Sequence, residues 1–161
     1  MGQKRYFDYV RPITAIRYLY HDKSIPSWHR AGEGPEMIDG AEWTPYQPTW
    51  FPSPPFAEYT SGHSAFSAAG AEVLKQFTGS DYYGGSVTIP AGSSSVEPGV
   101  APRTDITLSW DTFSAASDEA GMSRRYGGIH FRAADLNGRS VGREVGRNAW
   151  LKATRYFLGL G

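Results

Sequence analysis

Seven of the eleven prolines lie between His21 and Glu58, and they decide what that part of the chain can become. Pro26, Pro35, Pro45, Pro48, Pro52, Pro54 and Pro55 each remove a backbone donor and fix φ, so neither a helix nor a central strand can run through them. No sustained period of either kind crosses the segment, which reads as one long loop. Trp28, Trp43 and Trp50 give this loop apolar mass. They predict anchors packed on the body of the protein, not disorder and not a substrate platform. Regular structure must therefore come from the flanks.

Upstream, Tyr6, Val10, Ile13, Ile16 and Leu19 fall at helical spacing over Arg5–Tyr20, with Pro12 set to kink or restart the helix. Downstream, Thr60-Ser61-Gly62-His63 precedes a small-residue run through Ala65, Phe66, Ala68, Ala69, Ala71, Val73 and Leu74 that stops near Thr78-Gly79. Small residues allow close helix–helix approach. Between Gly84 and Trp110, the β-like pieces Ser86–Ile89 and Ile106–Trp110 are joined by Gly/Ser/Pro-rich sequence and predict a peripheral hairpin-like excursion. Asp111 is a plausible N-cap for a helix through Phe113, Ala116, Ala120 and Met122, loosened at Tyr126-Gly127-Gly128. A last helix over Leu136–Leu158 keeps Val141, Val145, Ala149 and Phe157 near one face, with Gly142 and Gly146 four apart. The expectation is a single all-α domain over residues 1–161: about four helices in a bundle, with long Pro-rich loops and a small hairpin.

Composition narrows the function classes. Sixteen Lys+Arg against sixteen Asp+Glu leave no net field to attract nucleic acid or an anionic membrane, so neither is an expected partner. With no Cys there is no disulfide framework, thiolate metal site or thiol nucleophile. No run approaches the roughly 18 apolar residues of a membrane span. Met1–Arg5 leads into an amphipathic segment in place of a signal-peptide apolar core. A soluble chain is expected, with no compartment indicated.

Three short stretches combine cations or His with backbone suited to an anion. Lys4 and Arg11 are seven apart, nearly two helical turns, so on one helix they would share a face. Taken alone the pair is a solvated basic face. Ser61-Gly62-His63 opens the alanine-rich helix, where unpaired amides, a partial positive charge and a glycine make a seat for an oxyanion. The same tripeptide is equally an ordinary cap. Ser123-Arg124 precedes His130 by a stretch that a continuous helix would turn apart, but Gly127-Gly128 can end the helix and swing His130 back. Otherwise Arg124 is a surface cation and His130 a loop residue. His21 and His29 lack spaced partners and read as surface histidines, and Asp118-Glu119 as a solvated helical patch.

In order along the chain, Lys-x6-Arg-Pro at Lys4–Pro12, Ser-Gly-His at Ser61–His63 and Ser-Arg-x5-His at Ser123–His130 resemble the signature of the vanadium-dependent haloperoxidase and type-2 phosphatidic acid phosphatase superfamily. The flanking Pro54-Pro55-Phe56-Ala57-Glu58-Tyr59 and Gly127-Gly128-Ile129-His130-Phe131-Arg132 look more like the soluble bacterial haloperoxidase-related branch than the lipid phosphatases. The resemblance implies a helical bundle of the haloperoxidase/acid phosphatase type. It implies vanadate, or phosphate in the same place, held by Lys4, Arg11 and Arg124 and by Ser61 and the Gly62 amide, with His130 bonding vanadium axially. His63 resembles the acid–base histidine, Lys4 the cation that polarises peroxide, and Phe56 a wall of the halide pocket. The implied reaction is oxidation of halide to hypohalous acid by hydrogen peroxide. The alternatives are an acid phosphatase that forms a phosphohistidine on His130 and hydrolyses phosphate esters, and an inactive anion-binding fragment. The roles are physically coherent, because at an effective dielectric near 20 each cation about 4 Å from an anionic charge contributes roughly 4 kcal/mol before desolvation.

Two departures from the family pattern stand out. An Asp commonly follows the ligand His by four residues and fixes its surroundings. Here Asp135 is five away, and it could instead cap the last helix. Members also carry several helices before the Lys motif, which begins here at residue 4. The chain thus reads as a natural short form, a truncated product or one part of an assembly. An exposed apolar face and self-association into a homo-oligomer follow as expectations.

Overall fold

Pro12 sets the first break. A residue before proline is driven out of the helical region, and Arg11 is extended, with φ −76° and ψ 156°. In the computed structural model, which describes residues 2–160, the single kinked helix expected over Arg5–Tyr20 is therefore two: α1 (Gly2–Phe7) and α2 (Pro12–Leu19), with Asp8 at φ 46° between them. Lys4 and Arg11 consequently do not share one helix face.

The proline-rich segment is more regular than its composition implies. Strands β1 (Ser24–Arg30) and β2 (Gly34–Asp39) form an antiparallel hairpin in which Pro26 pairs with Met37 and Pro35 with Trp28. A two-stranded ribbon has only edge strands, so a proline can occupy a position whose missing N–H faces outward. Asp39 then caps a 3₁₀ turn at Gly40–Glu42, and irregular chain runs on to Thr60. Trp28 and Trp43 are anchors. Trp28 donates to Glu97 and lies edge-on to Tyr46, while Trp43 packs on Gly128. Trp50 is not an anchor: it is 73% exposed, with its ring edge against Phe51.

Helix α3 (Gly62–Thr78) stops at Gly79, which takes the left-handed conformation that terminates helices. Strands β3 (Tyr82–Ile89) and β4 (Ile106–Thr112) make the second antiparallel hairpin. Because β4 continues through Asp111, the cap of α4 (Phe113–Tyr126) is Thr112, whose hydroxyl accepts from the Ala115 amide at 2.9 Å. Helix α5 (Arg132–Phe157) begins four residues earlier than its apolar pattern alone predicts. The architecture is thus a helical pack with two small hairpins.

The central contact joins α3 to α5. A Cβ added at Gly138 would lie 2.8 Å from the Ser61 carbonyl oxygen, one at Gly146 2.6 Å from that of Ala69, and one at Gly142 would overlap the Ala65 carbonyl. Both series advance in steps of four in the same direction, so the two helices run parallel with their N-termini at one end. Around this contact the buried interior is largely ionic. Ala68, Ala71, Ile129 and Ala134 are buried, but so are Glu72, Asp135 and Arg139. Asp135, with no exposed surface, receives a two-pronged donation from Arg139 at 2.8 and 2.7 Å. Asp118 is no solvated patch: it faces Arg139 at 3.4 Å and Arg143 at 2.8 Å, tying α4 to α5.

The chain exposes 10304 Å², against about 7,900 Å² for a compact monomer of its mass. Phe66 and Phe77 on the outer side of α3, and Tyr6 and Tyr18 at the front, contribute to that excess. Among the described residues no helix is long and apolar enough to cross a membrane.

The helix contact makes a paired prediction. Gly142→Ala should lower unfolding stability by about 1–3 kcal/mol through overpacking. Gly70→Ala, on the same bundle but with nothing within 4 Å of its added Cβ, should be neutral or gain up to about 1 kcal/mol. Denaturant midpoints at constant m-value measure both, and equal behaviour of the two variants would contradict the parallel glycine contact.

Candidate oxyanion site

The turn Phe56–Glu58, just before α3, gathers the N-terminal cations. Arg11 carries no capping bond for α2, and its side chain reaches inward instead. Its Nε donates to the Phe56 carbonyl at 2.9 Å and its Nη1 to the Ile129 carbonyl at 3.0 Å. Lys4 Nζ donates to the carbonyls of Ala57 and Glu58 at 2.9 and 3.0 Å, which leaves one of its three donors uncommitted. The Phe56 ring lies beneath both, 5.2 Å from Lys4 Nζ and 5.0 Å from the Arg11 guanidinium. Lys4 and Arg11 thus meet through a shared turn, and not through the helical spacing that first paired them.

His130 arrives from the opposite direction. Helix α4 ends at Tyr126, and Gly128 at φ 69° reverses the chain. Trp43 and Pro45 press against Gly128, so the proline-rich segment braces the turn. Ile129, 2% exposed, plugs the bundle, and His130 follows with its Nε2 3.1 Å from Arg11 Nη1. Its Nδ1 lies 2.6 Å from Glu58 Oε1, and the same oxygen accepts the Phe131 amide at 2.9 Å. Glu58 is 1% exposed and its own amide is bonded to the Tyr9 carbonyl. No sequence reading singled Glu58 out, although it lies within the flanking motif.

Ser61, Gly62 and His63 form the first turn of α3. The amides of Gly62 and His63 precede any intrahelical acceptor. Ser61 is fully buried, and its Oγ lies 2.9 Å from Ser64 Oγ, itself 2.8 Å from Asp135 Oδ1. A carboxylate only accepts, so the single Ser64 proton goes to Asp135 and the Ser61 hydroxyl donates to Ser64. Backbone amides are therefore what this turn offers an anion. Asp135 does not contact His130 through its side chain, nor does it cap α5, whose N-cap residue Phe131 makes no side-chain bond. It holds Ser64 and Arg139.

Arg124, near the end of α4, supplies the clearest sign of a missing partner. Its Nε and Nη2, together with Arg11 Nη2, are buried nitrogens without any hydrogen-bond partner. Unpaired buried donors cost free energy, and three on two guanidinium groups match the acceptor oxygens of a tetrahedral or five-coordinate anion. Electrostatics agree. Burial, then Arg11, pushes the Lys4 ammonium down to about 8, with Glu58 opposing. Burial lowers Arg11 as well, with Glu58 opposing and Arg124 reinforcing the fall. His63 is exposed at the rim, and burial of its ring, Arg124 and His130 all push it below the usual imidazole range. His130 is lowered chiefly by burial, against its hydrogen bond to Glu58. The pocket concentrates positive charge around one buried carboxylate.

Residues 1–159 match the family profile described as the VCPO second helical-bundle domain. Among solved structures, the chain is similar to a holo-type bacterial vanadium-dependent chloroperoxidase, with TM-score 0.88 and 31% identity over 96% of this chain and 32% of that one. The apo-type structure gives TM-score 0.87 and 30% identity, over 96% and 33% of the respective chains. The chain therefore spans about a third of the length of these structures. No curated protein matches it.

The depressed Lys4 makes a pH prediction. A bound dianion favours the ammonium, so affinity for sulfate, whose charge is constant across this range, should be full below about pH 8 and fall as pH rises through it. Lys4→Arg should flatten that limb. Calorimetric titration on both sides of pH 8 reads the effect, and a wild-type affinity indifferent to pH would remove Lys4 from the cradle.

Proposed function

The chain belongs to the family of VCPO second helical-bundle domains, and we propose that it forms the vanadate-holding part of a haloperoxidase that uses hydrogen peroxide to oxidise halide. The observation that carries this reading is the set of orphaned guanidinium nitrogens on Arg11 and Arg124 beside the His130 imidazole. Lys4, Arg11 and Arg124 would hold the oxygens of vanadate, the Gly62 amide would add a backbone donor, and His130 would bond it through Nε2. Vanadate bound there supplies Lewis acidity toward hydrogen peroxide.

The remaining roles belong to the protein. The Lys4 donor left uncommitted would be available to oxygens of the guest, and Arg11 and Arg124 would neutralise its charge in a setting where burial strengthens each interaction. His63, exposed to water and with a lowered proton affinity, would exchange a proton between the pocket and water. Phe56 turns an aromatic surface toward both cations, which makes a partly apolar, positively biased niche suited to a weakly hydrated halide. Phosphate would meet the same donors, as five-coordinate vanadate and the phosphoryl-transfer transition state share charge and shape. The likeness to chloroperoxidase structures supports the peroxidase reading over the phosphatase one.

Vanadate titration followed by peroxide-dependent bromination of a dye tests the assignment, with hydrolysis of a chromogenic phosphate ester run alongside. Wild type should bind vanadate and brominate. Arg124→Ala should lose about 10²–10³ in turnover, the scale of removing one preorganised donor, and His130→Ala should lose essentially all. A folded chain that binds no vanadate, or one that hydrolyses the ester and never brominates, overturns the proposal.

A further inference from the structure

We infer that Glu58 is the positioning residue for His130: its buried carboxylate fixes the imidazole as the Nδ1–H tautomer and thereby aims the Nε2 lone pair into the anion cradle. This rests on the reading of the site just given.

The argument is one of donors and acceptors on the two faces of one ring. Glu58 Oε1 stands 2.6 Å from Nδ1 and already accepts the Phe131 amide at 2.9 Å, so it is an acceptor oxygen and Nδ1 must bring the proton. On the other face Arg11 Nη1 stands 3.1 Å from Nε2, and a guanidinium can only donate. Both neighbours demand the same tautomer. Glu58 cannot turn away: it is 1% exposed, its amide is bonded to the Tyr9 carbonyl, and its carbonyl accepts from Lys4 Nζ. The Asp that follows His130 is occupied elsewhere, with Arg139 and Ser64. The orienting carboxylate therefore comes from 72 residues upstream, on the same turn that holds Lys4 and Arg11. One rigid segment sets the two N-terminal cations and the orientation of the histidine together. Groups that orient a ligating histidine through its second nitrogen typically influence affinity by about 10–100-fold.

The test uses the whole chain without any oxyanion, then with vanadate. Long-range proton–nitrogen NMR correlations of His130 should place the proton on Nδ1 in wild type. Glu58→Gln should keep that tautomer, because both bonds end on a single oxygen that an amide oxygen can replace. In Glu58→Ala the Arg11 donor still favours Nδ1–H but the carboxylate no longer does, so the Nε2–H population should rise above that of wild type and vanadate binding should weaken by about 10–100-fold. Wild-type His130 with its proton on Nε2 overturns the inference, as does a folded Glu58→Ala that keeps the wild-type Nδ1–H population and full vanadate affinity. If Glu58→Ala fails to fold, the wild-type and Glu58→Gln spectra decide alone, a shift to Nε2–H in Glu58→Gln counting against the inference. A wild-type chain with the Nδ1–H tautomer and no affinity for vanadate would sink the proposed function and leave the role of Glu58 standing.

Discussion

The close parallel approach of α3 and α5 is the constraint from which the site follows. Parallel helices at contact distance place two positive dipole ends side by side, an arrangement that is unfavourable unless something negative lies beyond them. The glycine ridge Gly138, Gly142 and Gly146 permits the approach by letting the α3 carbonyls come where a side chain would stand. At the shared end, the Ser61 amide bonds the Ala134 carbonyl, which locks the start of one helix to the first turn of the other. Gly62–His63 and His130–Phe131 are thereby brought to the same place although 68 residues separate Gly62 from His130. The anion seat results from helix packing before any cation is added.

The interior that supports this contact is polar, and that has a cost and a consequence. Small residues leave little apolar volume between the helices, so Asp135, Arg139 and Ser64 fill the interface and satisfy each other, while buried Glu72 meets Gln76, Lys75 and Arg147. A buried pair of this kind adds little net stability compared with apolar packing, but breaking one partner is expensive. Such a network specifies register: Asp135 can meet Arg139 and Ser64 at once only with α5 seated at one height on α3. The larger apolar side chains, meanwhile, point outward, as Phe66 and Phe77 do. The bundle is thus held by geometry and charge on its inner side and leaves apolar faces on its outer side.

Much of this was legible in the residues. Small-residue periodicity, Gly79 as a stop and Gly127-Gly128 as a turn marked α3 and the approach to His130, because helix termini carry local chemical signals. What escaped has a common physical cause: it depends on partners distant in the chain. Pro26 and Pro35 argue against strands unless the ribbon is known to have only two. Asp118 looks like a solvated charge until α5 brings Arg139 and Arg143 across it. Glu58 sits in a segment without periodicity, between prolines and Ser-Gly-His, and nothing local distinguishes it from a surface carboxylate. Lys4 and Arg11 form the opposite case. Their pairing on a continuous helix fails at Pro12, yet the carbonyls of Phe56–Glu58 collect both side chains on one turn.

The charge distribution explains why such a site is tied to its guest. Burial lowers the hold of Lys4, Arg11 and Arg124 on their protons, Arg11 adds to the fall at Lys4 and Arg124 to the fall at Arg11, and Glu58 is the buried carboxylate that opposes it at Lys4 and Arg11. Charge crowding and unpaired guanidinium nitrogens both raise the free energy of the bare cradle. On the proposed reading, an oxyanion would remove both penalties at once, and its binding free energy would add to folding stability by mass action, by about 2.7 kcal/mol at a hundred times the dissociation constant. The same reasoning limits selectivity. Charge compensation and donor geometry are satisfied by any compact tetrahedral or five-coordinate oxyanion, whereas the Nε2 lone pair distinguishes a guest whose central atom can accept a fifth bond. On the proposed reading, discrimination among oxyanions would therefore rest on the histidine, and the three cations would govern affinity for all of them.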